Sequence, residues 1–173
     1  MKTYLVITVT CPDRPGIVER ITEILADFSA NWEESRMARL GGDFAGIVKI
    51  GVAEERATAL TEALQTLADE QMTVTVKVAH PAASEPFDNY LLYELRLTGA
   101  DHEGIVHAVS RYLVEQGINV EDMETEVGPA PMSASPLFRM EAQIKVPPQL
   151  SLDQLNASLD RIGEEHGVDI EVT

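Results

Sequence analysis

Apolar and polar positions along the chain alternate between strand and helix patterns, and the first half follows a β-α-β-β-α-β order. Tyr4–Val9 is a continuous β-branched and aromatic run, which indicates a strand buried on both faces. The next segment has apolar residues at helical spacing, namely Ile17, Val18, Ile21, Ile24, Leu25 and Phe28. The remaining elements predicted for this half are strands at Trp32–Leu40, Phe44–Val52 and Val74–Val78, and a helix over Glu54–Asp69.

The second half repeats this order, and its strongest mark is a motif that returns 88 residues later. Asp13-Arg14-Pro15-Gly16-Ile17 becomes Asp101-His102-Glu103-Gly104-Ile105, and Asn31 and Glu33 return as Asn119 and Glu121. A repeat of this length predicts two copies of one small domain. We expect an α+β protein with ferredoxin-like domains over residues 1–79 and 90–173, joined by a Pro- and Ser-containing linker over 80–89.

Two features of the copies extend this prediction. The hairpin turn Gly41-Gly42-Asp43 is short, whereas its counterpart Gly128–Pro136 is long and rich in proline, which indicates a projecting loop. That loop is either a tolerated surface insertion or a flap over a ligand or partner.

Because helices cover one face of such a sheet, strands that are apolar on both faces predict close packing between the copies and a homodimer.

The charge of the chain limits its partners. Thirteen Lys and Arg face 29 Asp and Glu, for a formal net charge of −16. An acidic chain without a basic patch repels a phosphate backbone, so direct DNA or RNA binding is not expected, although action on a DNA-binding protein is compatible with this charge. The absence of a membrane-length apolar run or a signal peptide, and the single cysteine, favour a cytoplasmic protein that does not enter membranes.

The turn between the first strand and the first helix is the candidate ligand site. A helix N-terminus offers unpaired N–H groups that suit a carboxylate, and Gly16 has no side chain to block the approach. Asp13 or the amide oxygen of Asn31 would receive the ammonium of an amino acid. Asn31 starts the strand that follows the helix, so the two more readily share a site across an interface between domains.

Other roles for these residues remain open. The structural alternative is that Asp13 caps the helix, Pro15 occupies its first turn, and Asn31 ends it in a left-handed turn. An enzyme would have to use Cys11 or His102. No histidine follows Cys11 at a position that indicates a catalytic pair. His102 and His107 lie five residues apart on the predicted helix, which is not the spacing that puts two metal ligands on one face.

The stretch Thr10–Val18, followed by Asn31 and by Ser35-Arg36-Met37-Ala38, resembles the ACT domain. The tandem layout is similar to the proteins of the glycine cleavage system transcriptional repressor family. The resemblance implies a non-enzymatic regulator that needs no cofactor, binds an amino acid, with glycine as one candidate, and contacts a DNA-binding activator. A protein-interaction module without a ligand is the alternative.

The resemblance also implies which residues touch the effector, since ACT domains bind it at an interface between domains with this turn. In the first copy they are Asp13, Arg14, Pro15, Gly16, Ile17 and Asn31, and in the second copy Asp101, His102, Glu103, Gly104, Ile105 and Asn119. The second copy departs from the motif, because His102-Glu103 replaces Arg14-Pro15.

Overall fold

The computed structural model describes residues 1–79, 87–129 and 136–173, which fall into two units, Met1–Ala83 and Ser84–Thr173. The first unit contains strands β1 to β4 and helices α1 and α2, with a short 3-10 helix at Glu54–Arg56. In chain order the elements are β1 (Lys2–Pro12), α1 (Ile17–Asp27), β2 (Asn31–Leu40), β3 (Asp43–Ala53), α2 (Ala57–Gln65) and β4 (Thr73–Val78).

The second unit repeats this series. Its elements are β5 (Leu91–Ala100), α3 (Ile105–Glu115), β6 (Asn119–Pro129), β7 (Pro136–Val146), α4 (Leu152–His166) and β8 (Val168–Val172). The strand order is β2-β3-β1-β4 in one sheet and β6-β7-β5-β8 in the other, and neighbouring strands are antiparallel. The predicted pair of ferredoxin-like folds is therefore confirmed.

Each sheet buries one face against its own two helices. In the first unit, Leu5, Ile7 and Val9 of β1 pack into one core with buried residues of both helices, Ile17, Ile21, Leu25, Leu60 and Leu64. Each such side chain contributes about 1.5–3 kcal/mol when fully buried. The other face is exposed, with Tyr4 37% accessible. The prediction that Tyr4–Val9 is buried on both faces is wrong within the first unit, because Tyr4, Val6 and Thr8 lie on the face that its helices do not cover.

The helix boundaries differ from the predicted ones in the first unit. The predicted helix over Glu54–Asp69 is a 3-10 turn followed by a shorter α-helix that ends at Gln65. Helix α1 begins at Ile17, so Pro15 precedes it and does not occupy its first turn. Ser29, and not Asn31, takes the left-handed conformation after α1, with φ of 52°, and Asn31 is the first residue of β2.

The two segments predicted as loops fall partly outside the described residues. Of the Gly128–Pro136 loop, Gly128 and Pro129 still belong to β6 and Pro136 already belongs to β7, where Pro129 pairs with Pro136. The strands thus run further than predicted, and residues 130–135 lie outside the described range, as do residues 80–86 of the predicted linker.

Candidate functional site

The turn between β1 and α1 holds the start of a helix without a side-chain cap. Gly16 takes the N-cap position with φ of 91° and ψ of 0°, and the first helical bond runs from the Arg20 N–H to the Gly16 carbonyl. The N–H groups of Ile17, Val18 and Glu19 therefore have no partner within the helix. A side chain built at Gly16 would meet no atom within 4 Å. The turn consequently presents backbone donors at an open position.

Asp13 does not cap α1, contrary to the structural alternative drawn from the sequence. Its carboxylate Oδ2 lies 2.8 Å from Arg39 Nε, and its N–H donates to the Gly42 carbonyl at 2.9 Å. Asp13 thus fastens the turn to the β2–β3 hairpin. Helix α4 shows the contrast, because there Ser151 and Gln154 form a complete capping box.

Arg14 reaches toward the end of the second helix of its unit. Its guanidinium lies 4.0 Å from Asp69, and both side chains are about half exposed, so the pair contributes little to stability. Hydrogen bonds from the backbone N–H groups of Gln71 and Met72 are the main cause of the lowered pKa of Asp69, and Arg14 adds to it. Arg14 is therefore held beside the turn.

A concavity of about 480 Å³ lies at this turn. It brings together four of the six residues predicted for the first site, and four further residues complete its lining. The lining consists of Asp13, Arg14, Gly16, Ile17, Val18, Glu19, Thr22 and Phe44. The predicted site did not include Val18, Glu19, Thr22 or Phe44. Thr22 follows Val18 by one helical turn, so the helical period places both on the same face. Phe44 lies opposite Cys11 in the sheet, so the strand register would have placed it beside the turn.

Asn31 lies at the opposite end of the sheet. It pairs in register with Gly51, and Gly51 pairs with Tyr4, eight residues before the end of β1. At about 3.3 Å per residue, this places Asn31 about 26 Å along the sheet from the turn. Asp13 and Asn31 of one unit therefore do not contact the same small ligand.

Asn31 belongs to a polar cluster at that far end. Its Nδ2 donates to Glu33 Oε1 at 3.1 Å, and Lys2 Nζ donates to the same oxygen at 2.6 Å. These two bonds, that of Lys2 first, lower the pKa of Glu33. Gly51 makes room for the cluster, because a side chain there would overlap Lys2 and Glu33. The cluster fixes the Asn31 side chain by its amide nitrogen.

The second copy repeats the turn and the cluster with different side chains. Gly104 has φ of 95° at the start of α3, again without a side-chain cap, and the Asp101 N–H donates to Pro136. Asn119 donates to Glu121, which Lys145 approaches to 3.6 Å. The matched motifs therefore have matched backbone geometry.

His102 is the main difference between the two turns. It precedes α3, so it does not share that helix with His107 as predicted. Its Nε2 lies 2.7 Å from the His166 carbonyl at the end of α4, and its Nδ1 lies 2.9 Å from the Glu103 carbonyl. Both ring nitrogens can donate to these carbonyl oxygens only when the ring is an imidazolium. The two carbonyls, that of His166 first, therefore stabilise the charged form and raise the pKa of His102. His102 thereby ties its turn to α4.

The residues required by an enzymatic role are poorly placed for it. Cys11 is only 4% exposed, and burial raises the pKa of its thiol, which opposes formation of a nucleophilic thiolate. Within residues 1–79, 87–129 and 136–173, no group of three or more His, Cys, Asp or Glu side chains is arranged to hold a metal ion. None of the helices in these ranges combines the length and apolar character needed to cross a bilayer.

Comparison with known proteins identifies relatives of this chain. Residues 3–79 match the family model of the ACT domain. A stretch of 45 residues is 49% identical to the glycine cleavage system transcriptional repressors of Escherichia coli (strain K12) and Shigella flexneri, and it covers 26% of this chain and 24% of each repressor. The match thus spans about a quarter of the length of these curated relatives.

Two solved structures resemble the whole chain. An unknown protein from Galdieria sulphuraria is 35% identical, with a TM-score of 0.85 over 99% of this chain and 98% of that one. A protein provisionally assigned as a glycine cleavage system transcriptional repressor is 19% identical, with a TM-score of 0.70 over 100% and 97% of the two chains, and shows the shared fold. The first unit is an ACT domain by its match to the family model, the second unit repeats its ferredoxin-like fold, and the chain is similar to the glycine cleavage system transcriptional repressors.

Proposed function

We propose that the chain is a non-enzymatic regulatory protein that binds a free amino acid at the turn between β1 and α1. The observation that carries the proposal is the concavity beside Gly16, where an uncapped helix N-terminus faces open space. An α-carboxylate accepts hydrogen bonds from the first-turn N–H groups and is stabilised by the positive end of the helix dipole. Glycine is the first amino acid to test, because the matching relatives are repressors of the glycine cleavage system.

The first copy is the effector site in this proposal, and the turn of the second copy has a structural role. In the first copy, Arg14 is loosely paired at 4.0 Å and the concavity opens beside it. In the second copy, His102 stands in place of Arg14, and its ring is bonded to the end of α4.

Neither acceptor predicted for the ammonium of the effector is available at the turn of its own unit, where Glu19 is the carboxylate that remains in the lining. Asp13 is already paired with Arg39, and Asn31 lies at the far end of the sheet. Strand β2 is an edge strand with Asn31 at its start and the Arg39–Asp13 pair near its end. Antiparallel pairing of β2 with β2 of a second copy would bring Asn31 of each protomer to the turn of its partner. We therefore propose a homodimer with two equivalent sites.

Calorimetric titration against a panel of amino acids tests the site. Val18 is 40% exposed and lines the concavity, so Val18→Trp should fill it and weaken binding at least tenfold. Val114→Trp is the matched control, since Val114 is 76% exposed on α3 and should bind as the parent does. Equal affinity of the Val18→Trp variant and the parent would place the ligand elsewhere.

Two measurements test the homodimer. Light scattering at micromolar concentration should give twice the mass of 19.0 kDa, and a monomer would contradict the proposed pairing. Asn31→Ala should weaken amino-acid binding, whereas Asn119→Ala, the same change at the start of β6, should leave it unchanged. An equal loss in the Asn119→Ala variant would also contradict it.

The regulated partner is, in this proposal, a DNA-binding regulatory protein. Support comes from the net charge of −16, which disfavours contact with a phosphate backbone, and from the similarity to transcriptional repressors. The alternative of an interaction module without a ligand has the same partner but predicts no response to any amino acid in the panel. The calorimetric panel therefore separates the two functions.

A further inference from the structure

A groove of about 480 Å³ runs between α3 and α4 of the second unit, on the side of the helices. Its volume lies in the range of small-molecule sites. Gly104 lines it at the start of α3. The hydrogen-bond donors of the groove are His107, Arg111 and Tyr112 of α3 and Ser158, Arg161 and His166 of α4.

Basic side chains are concentrated at this groove although the unit is strongly acidic. Residues 84–173 contain only five of the 13 Lys and Arg, together with 17 of the 29 Asp and Glu. Two of these five, Arg111 and Arg161, line the groove with His107 and His166. The groove thus has as many arginines as carboxylates, whereas the unit as a whole is strongly acidic.

The first unit provides an internal comparison. At an offset of 88 residues, Glu19 stands where α3 has His107, and Glu23 stands where α3 has Arg111. Although Arg20 stands where α3 has Ala108, the same helix face is acidic in α1. Because the backbone repeats while these side chains reverse in charge, the fold alone does not require the basic groove.

The groove also contains two carboxylates, and they set its charge. Arg111 Nε lies 3.0 Å from Glu115 Oε1, and Arg161 donates to the Ser158 hydroxyl at 3.3 Å, with Glu165 one helical turn further on. At neutral pH the two arginines offset Glu115 and Glu165. The donors of His107, Tyr112 and Ser158 add to those of the arginines, which favours an anion that accepts several hydrogen bonds.

His102 adds to this charge from outside the groove. Its ring stacks on that of His166, with centroids 5.9 Å apart and planes 10° apart, and its Nε2 bonds the His166 carbonyl. The ring of His102 therefore lies against the end of the groove, and its positive charge, when protonated, favours an anion there.

We propose that this groove binds a small phosphate-bearing ligand, free phosphate or a phosphate monoester, independently of the amino-acid site. Guanidinium groups match the oxygens of phosphate in a planar, bidentate geometry. Arg161 has the weaker of the two arginine contacts in the groove, with a neutral hydroxyl, and it is the primary phosphate ligand.

Titrations with inorganic phosphate and with glycerol phosphate, followed by histidine NMR signals and calorimetry, test the proposal. Arg161→Gln should weaken binding about tenfold or more, because it removes a charged hydrogen-bond donor. Glu165→Gln should strengthen binding, a change of sign that general loss of structure does not produce. Arg96→Gln, which removes an exposed arginine of the sheet, is the matched control and should leave binding unchanged.

Several results would overturn the proposal. One is the absence of saturable binding of either probe at about 10 mM. The others are an Arg161→Gln variant that binds phosphate as the parent does, and an Arg96→Gln variant that loses as much phosphate affinity as Arg161→Gln. If glycerol phosphate binds and inorganic phosphate does not, the ligand is an ester. Val18→Trp should leave phosphate binding intact, so the outcome is separate from that for the amino-acid site.

Discussion

Replacing Gly16 by alanine should destabilise the first unit by about 1–2 kcal/mol, and the cause should be backbone strain alone. Gly16 has φ of 91° and ψ of 0°, in the left-handed region. For an L-residue this region costs about 1–2 kcal/mol. An added Cβ at Gly16 meets no atom within 4 Å, so it neither clashes nor gains packing. The conformational cost is therefore the whole expected effect.

A series at this position separates strain from bulk. Gly16→Asn should cost less than Gly16→Ala, because asparagine tolerates the left-handed region better than other non-glycine residues. Gly16→Val should cost more than either, because it is β-branched. Gly16→Val is consequently unsuitable as a test of ligand access, since it changes stability and access together. Gly104→Ala should show a similar cost in the second unit, where φ is 95°.

Urea denaturation monitored by tryptophan fluorescence measures this cost. The chain has one tryptophan, Trp32, which packs against the core of the first unit, so its signal reports on that unit. The midpoint should fall while the slope stays constant. A cost below about 0.5 kcal/mol for Gly16→Ala, or equal costs for the asparagine and alanine variants, would refute the argument from strain.

Four further results are expected. Because the pKa of His102 is raised in the folded state, the stability it contributes should be present at low pH and be lost as the pH rises through its folded pKa, and His102→Gln should remove this dependence in denaturation curves. The Cys11 thiol should react with a disulfide reagent only on unfolding, because it is buried and its pKa is raised; rapid labelling of the native protein would contradict this. Gly163→Ala should destabilise the second unit by about 1–3 kcal/mol, since the added Cβ would lie 2.5 Å from the Val168 carbonyl oxygen. Thermal unfolding measures this loss, and an unchanged melting temperature would show that α4 shifts freely. The pure protein should not shift duplex DNA in a gel at physiological salt, and a salt-sensitive shift would overturn the charge argument.

The fold was predictable because its determinants are local and occur twice. The spacing of Ile17, Ile21 and Leu25 identified α1, and the return of the turn motif after 88 residues identified the second domain. The predicted burial of both faces of Tyr4–Val9 failed because composition alone does not report which strand face meets helices. The continuation of β6 to Pro129 was missed because proline was taken as a loop residue, although it is tolerated at a strand end.

The candidate site was predictable only in part. The motif located Asp13, Arg14 and Gly16, since their role depends on neighbours in sequence. The Asp13–Arg39 pair was not predicted, because it depends on the hairpin folding back onto the turn. The bond from His102 to the end of α4 spans 64 residues and has no sequence signature. Contacts of this kind follow from tertiary packing, which neither period nor motif encodes.

The most direct test of the account is the change in backbone amide NMR signals when glycine, and then the other amino acids of the panel, are added to the protein. The account predicts that for one of them the largest changes occur at the N–H groups of Ile17, Val18 and Glu19, which would bond the carboxylate. The Val18→Trp variant should lose these changes at the same ligand concentration. Changes centred on residues far from this turn, or no change with any amino acid, would contradict the central claim.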